Sequence, residues 1–148
     1  MKIFKNTIPK GLMIISFALF LGALSGIYST IKPDSHMIYF GQKFDGVLFK
    51  MYYAGIAALH FFIAIGLLRL KRWSFIGFTI LTIYFVITEV FNIALIRPDV
   101  LFMTGWPVSP SSITTYYAVQ GIVILFSILL FLWLFRYRNL LTSNKMDC

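Results

Sequence analysis

Negative charge is scarce in this sequence. Five Asp and Glu stand among 148 residues, and only one of them, Glu89, falls inside an apolar run. Paired carboxylates within those runs are therefore excluded. Charges of both signs make up 12% of the chain against 59% hydrophobic residues, where a soluble domain carries roughly 25% charged residues. With a mean hydropathy of +0.86, a soluble domain of this size is excluded as well. Cysteine is nearly absent: Cys148 stands alone, so it forms no intrachain disulfide and supplies no multi-Cys metal site. Two histidines, His36 and His60, are too few for a three-ligand zinc site, and one of them lies in a loop, which rules out bis-His haem across a bundle. No Ser, His and acid triad and no Gly-rich phosphate loop can be assembled. The expectation is a chain without metal or cofactor, and an enzyme is the less favoured reading.

What the sequence does have is four long apolar runs: Gly11 to Ile31, Met51 to Leu68, Trp73 to Ile96 and Ile113 to Phe135. About 20 apolar residues let a helix cross the hydrocarbon of a bilayer. The expected fold is an all-α integral membrane four-helix bundle, one domain over residues 1–148 with spans at about 11–31, 51–68, 73–96 and 113–135. No repeat or low-complexity segment interrupts it. Lys2, Lys5 and Lys10 ahead of the first run, with Ala23-Leu24-Ser25 near its end, mimic a cleavable signal. The run continues to Ile31, longer than a usual signal core, and is read as a retained span.

Net charge is +8. Nucleic acid would explain such a balance in a soluble protein, but here the charges follow topology. Lys2, Lys5, Lys10, Arg69, Lys71, Arg72, Arg136, Arg138 and Lys145 belong to the tails and the short second loop, while Lys32, Lys43, Lys50 and Arg97 belong to the two longer loops. Positive residues favour the cytoplasmic face. Both termini are expected inside and the longer loops outside, with the basic clusters meeting anionic lipid headgroups.

Ala18, Gly22 and Gly26 recur every four residues along the first span and should meet another helix closely. The second span offers Ala54, Gly55, Ala57, Ala58 and Ala64, so a tight pair of spans one and two is expected, with self-association as the rival use. Trp73 and Trp133 fall at the expected inner boundary, and Trp106, Tyr116 and Tyr117 at the outer one, as amphipathic rings prefer. In the first outer loop Met37, Phe40, Phe44, Leu48 and Met51 recur at helical spacing. A short interfacial helix is expected there, with an irregular lid as its rival because Gly41 and Gly46 interrupt the pattern. Pro98, Pro107 and Pro110 make the second outer loop non-helical, and Ser111 or Ser112 is expected to cap the fourth span.

Burying a carboxylate in hydrocarbon is costly, so membrane acids face protein or water and mark functional sites. At about 1.5 Å per residue, Glu89 lies roughly 10 Å below the outer boundary. Ser25, Tyr53 and Gln120 reach a similar depth from the other spans, with Asn92 and Tyr116 nearer the surface. Asn92 is one turn from Glu89, and Thr82 two turns below on the same stripe. These residues are expected to form an outward polar chamber; the bland alternative is a network that merely ties helices together. His60, mid-span, is expected to be a hydrogen-bonded core residue rather than a proton relay.

The run Gly66-Leu67-Leu68-Arg69-Leu70-Lys71-Arg72-Trp73, preceded by Phe44-Asp45-Gly46 and Tyr52-Tyr53, resembles small uncharacterised four-span bacterial membrane proteins. The likeness covers most of the chain and implies their architecture and, for a bacterial source, the inner membrane. It implies no activity. Small multidrug transporters also pair four short spans with one membrane glutamate, but theirs lies in the first span, whereas Glu89 is in the third.

The leading expectation is a non-enzymatic protein that binds a hydrophobic ligand, a lipid or a membrane partner through the chamber around Glu89. A homo-oligomeric transporter or ion-conducting pore using Glu89 comes second. An accessory subunit of a larger membrane complex, docking through the Ala18, Gly22, Gly26 face, comes third.

Overall fold

The computed structural model describes residues 8–32, 36–97 and 110–142. The expectations for Lys2, Lys5, Pro98, Trp106, Pro107, Lys145 and Cys148 lie outside them. In chain order the elements are α1 (Lys10–Ile31), β1 (Met37–Tyr39), β2 (Gln42–Phe44), α2 (Gly46–Leu68), α3 (Arg72–Leu95), α4 (Pro110–Phe135) and α5 (Arg138–Thr142). Helices α1 to α4 are 22, 23, 24 and 26 residues long. At about 1.5 Å per residue each exceeds a hydrocarbon thickness of about 30 Å. All four are long and apolar enough to cross a membrane.

Small residues set the closest helix pair. A methyl group added at Gly26 would lie 2.9 Å from Ala57 Cβ and 3.3 Å from Tyr53 O, and one at Gly22 would lie 3.3 Å from the His60 ring. These glycines thus let α1 and α2 approach, the close pair expected from the small residues of the first two spans. The main core gathers at the end of the bundle that holds α5. There Leu12, Ile15, Leu19, Ile63, Ala64, Leu67, Phe78, Leu81, Leu134 and Leu141 form one buried cluster. A smaller cluster at the other end joins Ile38 and Tyr116, with Ile96 and Ile113 packed on it.

The α2 to α3 connection is a helix-ending turn in which Lys71 N–H donates to Gly66 O (2.9 Å) and Leu70 N–H to Leu67 O (3.1 Å). Leu70 takes the left-handed conformation (φ 51°) that such turns assign to glycine. Its side chain packs on the core, which offsets the cost. Gly66 is required by proximity, since a Cβ there would meet Ser74 Cβ at 2.6 Å and Trp73 at 2.7 Å. Ser74, fully buried, donates its hydroxyl to Lys71 O (2.6 Å) and closes the first turn of α3.

Two expectations are corrected. Among the described residues, the loop between α1 and α2 forms a hairpin in place of the expected interfacial helix: β1 and β2 pair antiparallel, Met37 with Phe44, Ile38 with Lys43 and Tyr39 with Gln42. Phe40 (φ 49°) and Gly41 (φ 71°) form the two-residue reversal, a backbone matched to the strand twist. Leu48 and Met51 belong instead to α2, which starts at Gly46 (φ 71°), well before the apolar run. Secondly, α4 starts at Pro110, so Ser111 and Ser112 lie in its first turn rather than at its cap. Proline suits that first position because its missing N–H has no helical acceptor to lose.

Candidate functional site

Glu89 stands half-buried on α3, and one turn on Asn92 donates from Nδ2 to its Oε2 (3.2 Å). Asn92 is 1% exposed, and its Oδ1 has no donor among the described residues. Above this pair lies a cavity of about 260 Å³ walled by three helices and the hairpin: Tyr53 from α2, Glu89 and Asn92 from α3, Tyr116, Val119 and Gln120 from α4, and His36, Met37 and Ile38 on the hairpin side. Glu89 is the one carboxylate on this wall, and no Lys or Arg joins it among the described residues. Tyr116, 3% exposed, is held in the small cluster with Ile38.

The hairpin is pinned over this end by contacts on both of its strands and its turn. Tyr84 of α3 donates to the Tyr52 hydroxyl of α2 (3.1 Å), leaving the Tyr39 hydroxyl to donate to Tyr84 (2.8 Å). Partial burial, with the Tyr84 hydroxyl beside it, pushes the Tyr39 phenol up to about 12, so the bond keeps its proton throughout the physiological range. Phe40 meets the Phe91 ring edge-on at 5.5 Å. Gly41 is buried so close to Leu95 that a Cβ would run into its carbonyl.

Depth counting named Glu89, Asn92, Gln120, Tyr53, Tyr116, Ser25 and His60. The first five line the cavity. Ser25 does not: it is exposed on α1, turned away from the other helices. Depth along a helix gives no azimuth around it. His60 is also outside the cavity, its Nδ1 donating to Ile56 O (2.9 Å) and its ring resting beside Phe85 (centroids 5.8 Å apart). Thr82 gives its hydroxyl to Phe78 O (2.9 Å) and faces a separate apolar space between α3 and α4. Sequence reasoning missed His36, Met37, Ile38 and Val119, since only a hairpin folding back over the bundle brings the first three there. It also missed Thr88, 2% exposed beside Glu89, whose Oγ1 has no partner among the described residues.

Larger hollows exist but carry little chemistry. One of about 600 Å³ runs between α1 and α2 and one of about 440 Å³ between α2 and α3, both walled by aliphatic and aromatic side chains. In the first, the Thr30 hydroxyl is taken up by Gly26 O (2.9 Å). Such walls suit hydrocarbon. Among the described residues no three His, Cys, Asp or Glu side chains gather as a metal site. No family model matches this chain, and no curated protein or solved structure matches it either.

Proposed function

We propose that this chain is a non-enzymatic multi-pass membrane protein, both termini cytoplasmic, whose outward-facing chamber around Glu89 binds the polar head of a lipid or another small ligand. One observation carries the reading. The bundle leaves about 260 Å³ open beside its single membrane acid, where aliphatic packing would have filled the space. A carboxylate at that depth demands polar company, and Tyr53, Tyr116 and Gln120 converge from neighbouring helices to provide it. The volume falls below the 300–1,000 Å³ of drug-sized pockets, so a head group or small molecule fits better than a whole amphiphile. The charge asymmetry between loops supports the orientation.

The test is native mass spectrometry of the gently solubilised chain beside Val119→Trp, which fills the cavity from a wall position exposed to it. Wild type should carry a bound small molecule or lipid that the variant lacks, with equal helicity by circular dichroism. Identical bound species in both would remove the reading. A second reading, a homo-oligomeric transporter or pore, rests on Glu89 being the one acid within the spans. It predicts that Glu89→Gln abolishes proton-coupled flux in vesicles while the fold persists.

A further inference from the structure

Resting on that reading of the chamber, we infer that its ligand is an alkyl primary ammonium, presented either by a lipid head group or by a free amine. Among the described residues, Asn92 donates to Oε2 of the Glu89 carboxylate and no Lys or Arg neutralises it from the cavity wall. A carboxylate partly shielded from water attracts a cation more strongly than in bulk solution, and a charge-assisted hydrogen bond from N–H⁺ is roughly twice as strong as a neutral one.

The other wall groups narrow the class. The amide oxygen of Asn92, buried and without a donor among the described residues, is an acceptor as well, and the phenol oxygen of Tyr53 and the amide of Gln120 stand on the same wall. Three N–H donors of a primary ammonium answer several such acceptors at once. A quaternary ammonium has none and leaves the Asn92 amide oxygen unanswered, at the cost of a desolvated polar group. A hard metal ion asks for six or more oxygen ligands, whereas Met37, Ile38 and Val119 offer carbon, which suits the alkyl part of an amine. Anions are disfavoured because the wall holds an acid and, among the described residues, no Lys or Arg.

The full-length chain, purified in mild detergent, is titrated calorimetrically with propylammonium, tetramethylammonium, butanol and butyrate. In parallel it is placed in nanodiscs of phosphatidylethanolamine or phosphatidylcholine and read by native mass spectrometry. Propylammonium should bind at least about tenfold more tightly than the other three probes, the factor one good charged contact supplies, and Glu89→Gln should erase that preference. Retention of phosphatidylethanolamine over phosphatidylcholine identifies the lipid as the source; selectivity for free propylammonium alone identifies a soluble amine. Equal or better binding of butanol, butyrate or tetramethylammonium, lost on Val119→Trp, overturns the ammonium assignment and leaves the chamber standing. Absence of binding by every probe and lipid in wild type overturns both. Glu89→Asp, which keeps the charge, should restore part of the preference if Glu89→Gln folds poorly.

Discussion

At position 26 the width of one methyl group decides how near two helices stand. The 2.9 Å and 3.3 Å approaches to Ala57 and Tyr53 mean that Gly26→Ala should lower stability by about 1–3 kcal/mol, the cost of overpacking. Gly55, with nothing within 4 Å of an added Cβ, is its control: Gly55→Ala should gain about 0.5–1 kcal/mol from helix preference. Thermal unfolding in detergent compares the two, and equal effects would show that contact distance is irrelevant. Tyr39 makes a second residue-level prediction. Its phenol titrates higher folded than unfolded (about 12 against 10.0), so the hairpin's attachment is fully supported below pH 10 and weakens as pH rises towards 12. Phenolate absorbance should show wild type losing one late-titrating tyrosine in Tyr39→Phe, and hydrogen exchange of residues 37–44 should accelerate in wild type across that window. The polar set was largely legible at this scale because span ends and rise per residue fix depth. Ser25 shows where legibility stops: a single sequence does not say which side of α1 meets its neighbours.

Among the elements, the hairpin is the one that sequence reasoning misjudged. Met37, Phe40, Phe44, Leu48 and Met51 fit a helical spacing, yet the positive φ of Phe40 is not a preference that phenylalanine advertises. The helices were readable because apolar length is a property of composition, and the turn before Trp73 was readable as a boundary. What the turn hides is Gly66, whose absent side chain makes room for Ser74 and Trp73. Gly41→Ala should strain the reversal and push the hairpin off Leu95. Deuterium uptake over residues 37–44 should then rise at least several-fold while α1 to α3 stay protected; unchanged uptake would mean that the hairpin is held without the Gly41 approach, through Tyr39 and its relay to Tyr84 and Tyr52. Helix α4 is the least enclosed of the long helices, with 6% of its most apolar window buried, so its few core contacts matter more. Leu134, fully buried, should cost about 2–5 kcal/mol as Leu134→Ala, read as a lower unfolding temperature in the same detergent.

For the molecule as a whole, the four long helices and the charge pattern make one topological prediction. Cys148 is the only thiol, so a membrane-impermeant maleimide should label wild type in inverted vesicles and leave it unlabelled in intact cells. His36→Cys in a Cys148→Ser background should do the reverse, and labelling of both from one side would refute the orientation proposed above. The aliphatic cluster that Leu12, Leu67, Phe78 and Leu134 share lies at the α5 end, whereas the opposite end relies on a two-stranded clip, one tyrosine relay and the buried side chains of Ile38, Phe49 and Tyr116. The bundle is therefore built like a clothes-peg, sprung at the tails and parting at the jaws. Warming or a foreign molecule should spread the mouth around Glu89 long before the grip at the far end gives way.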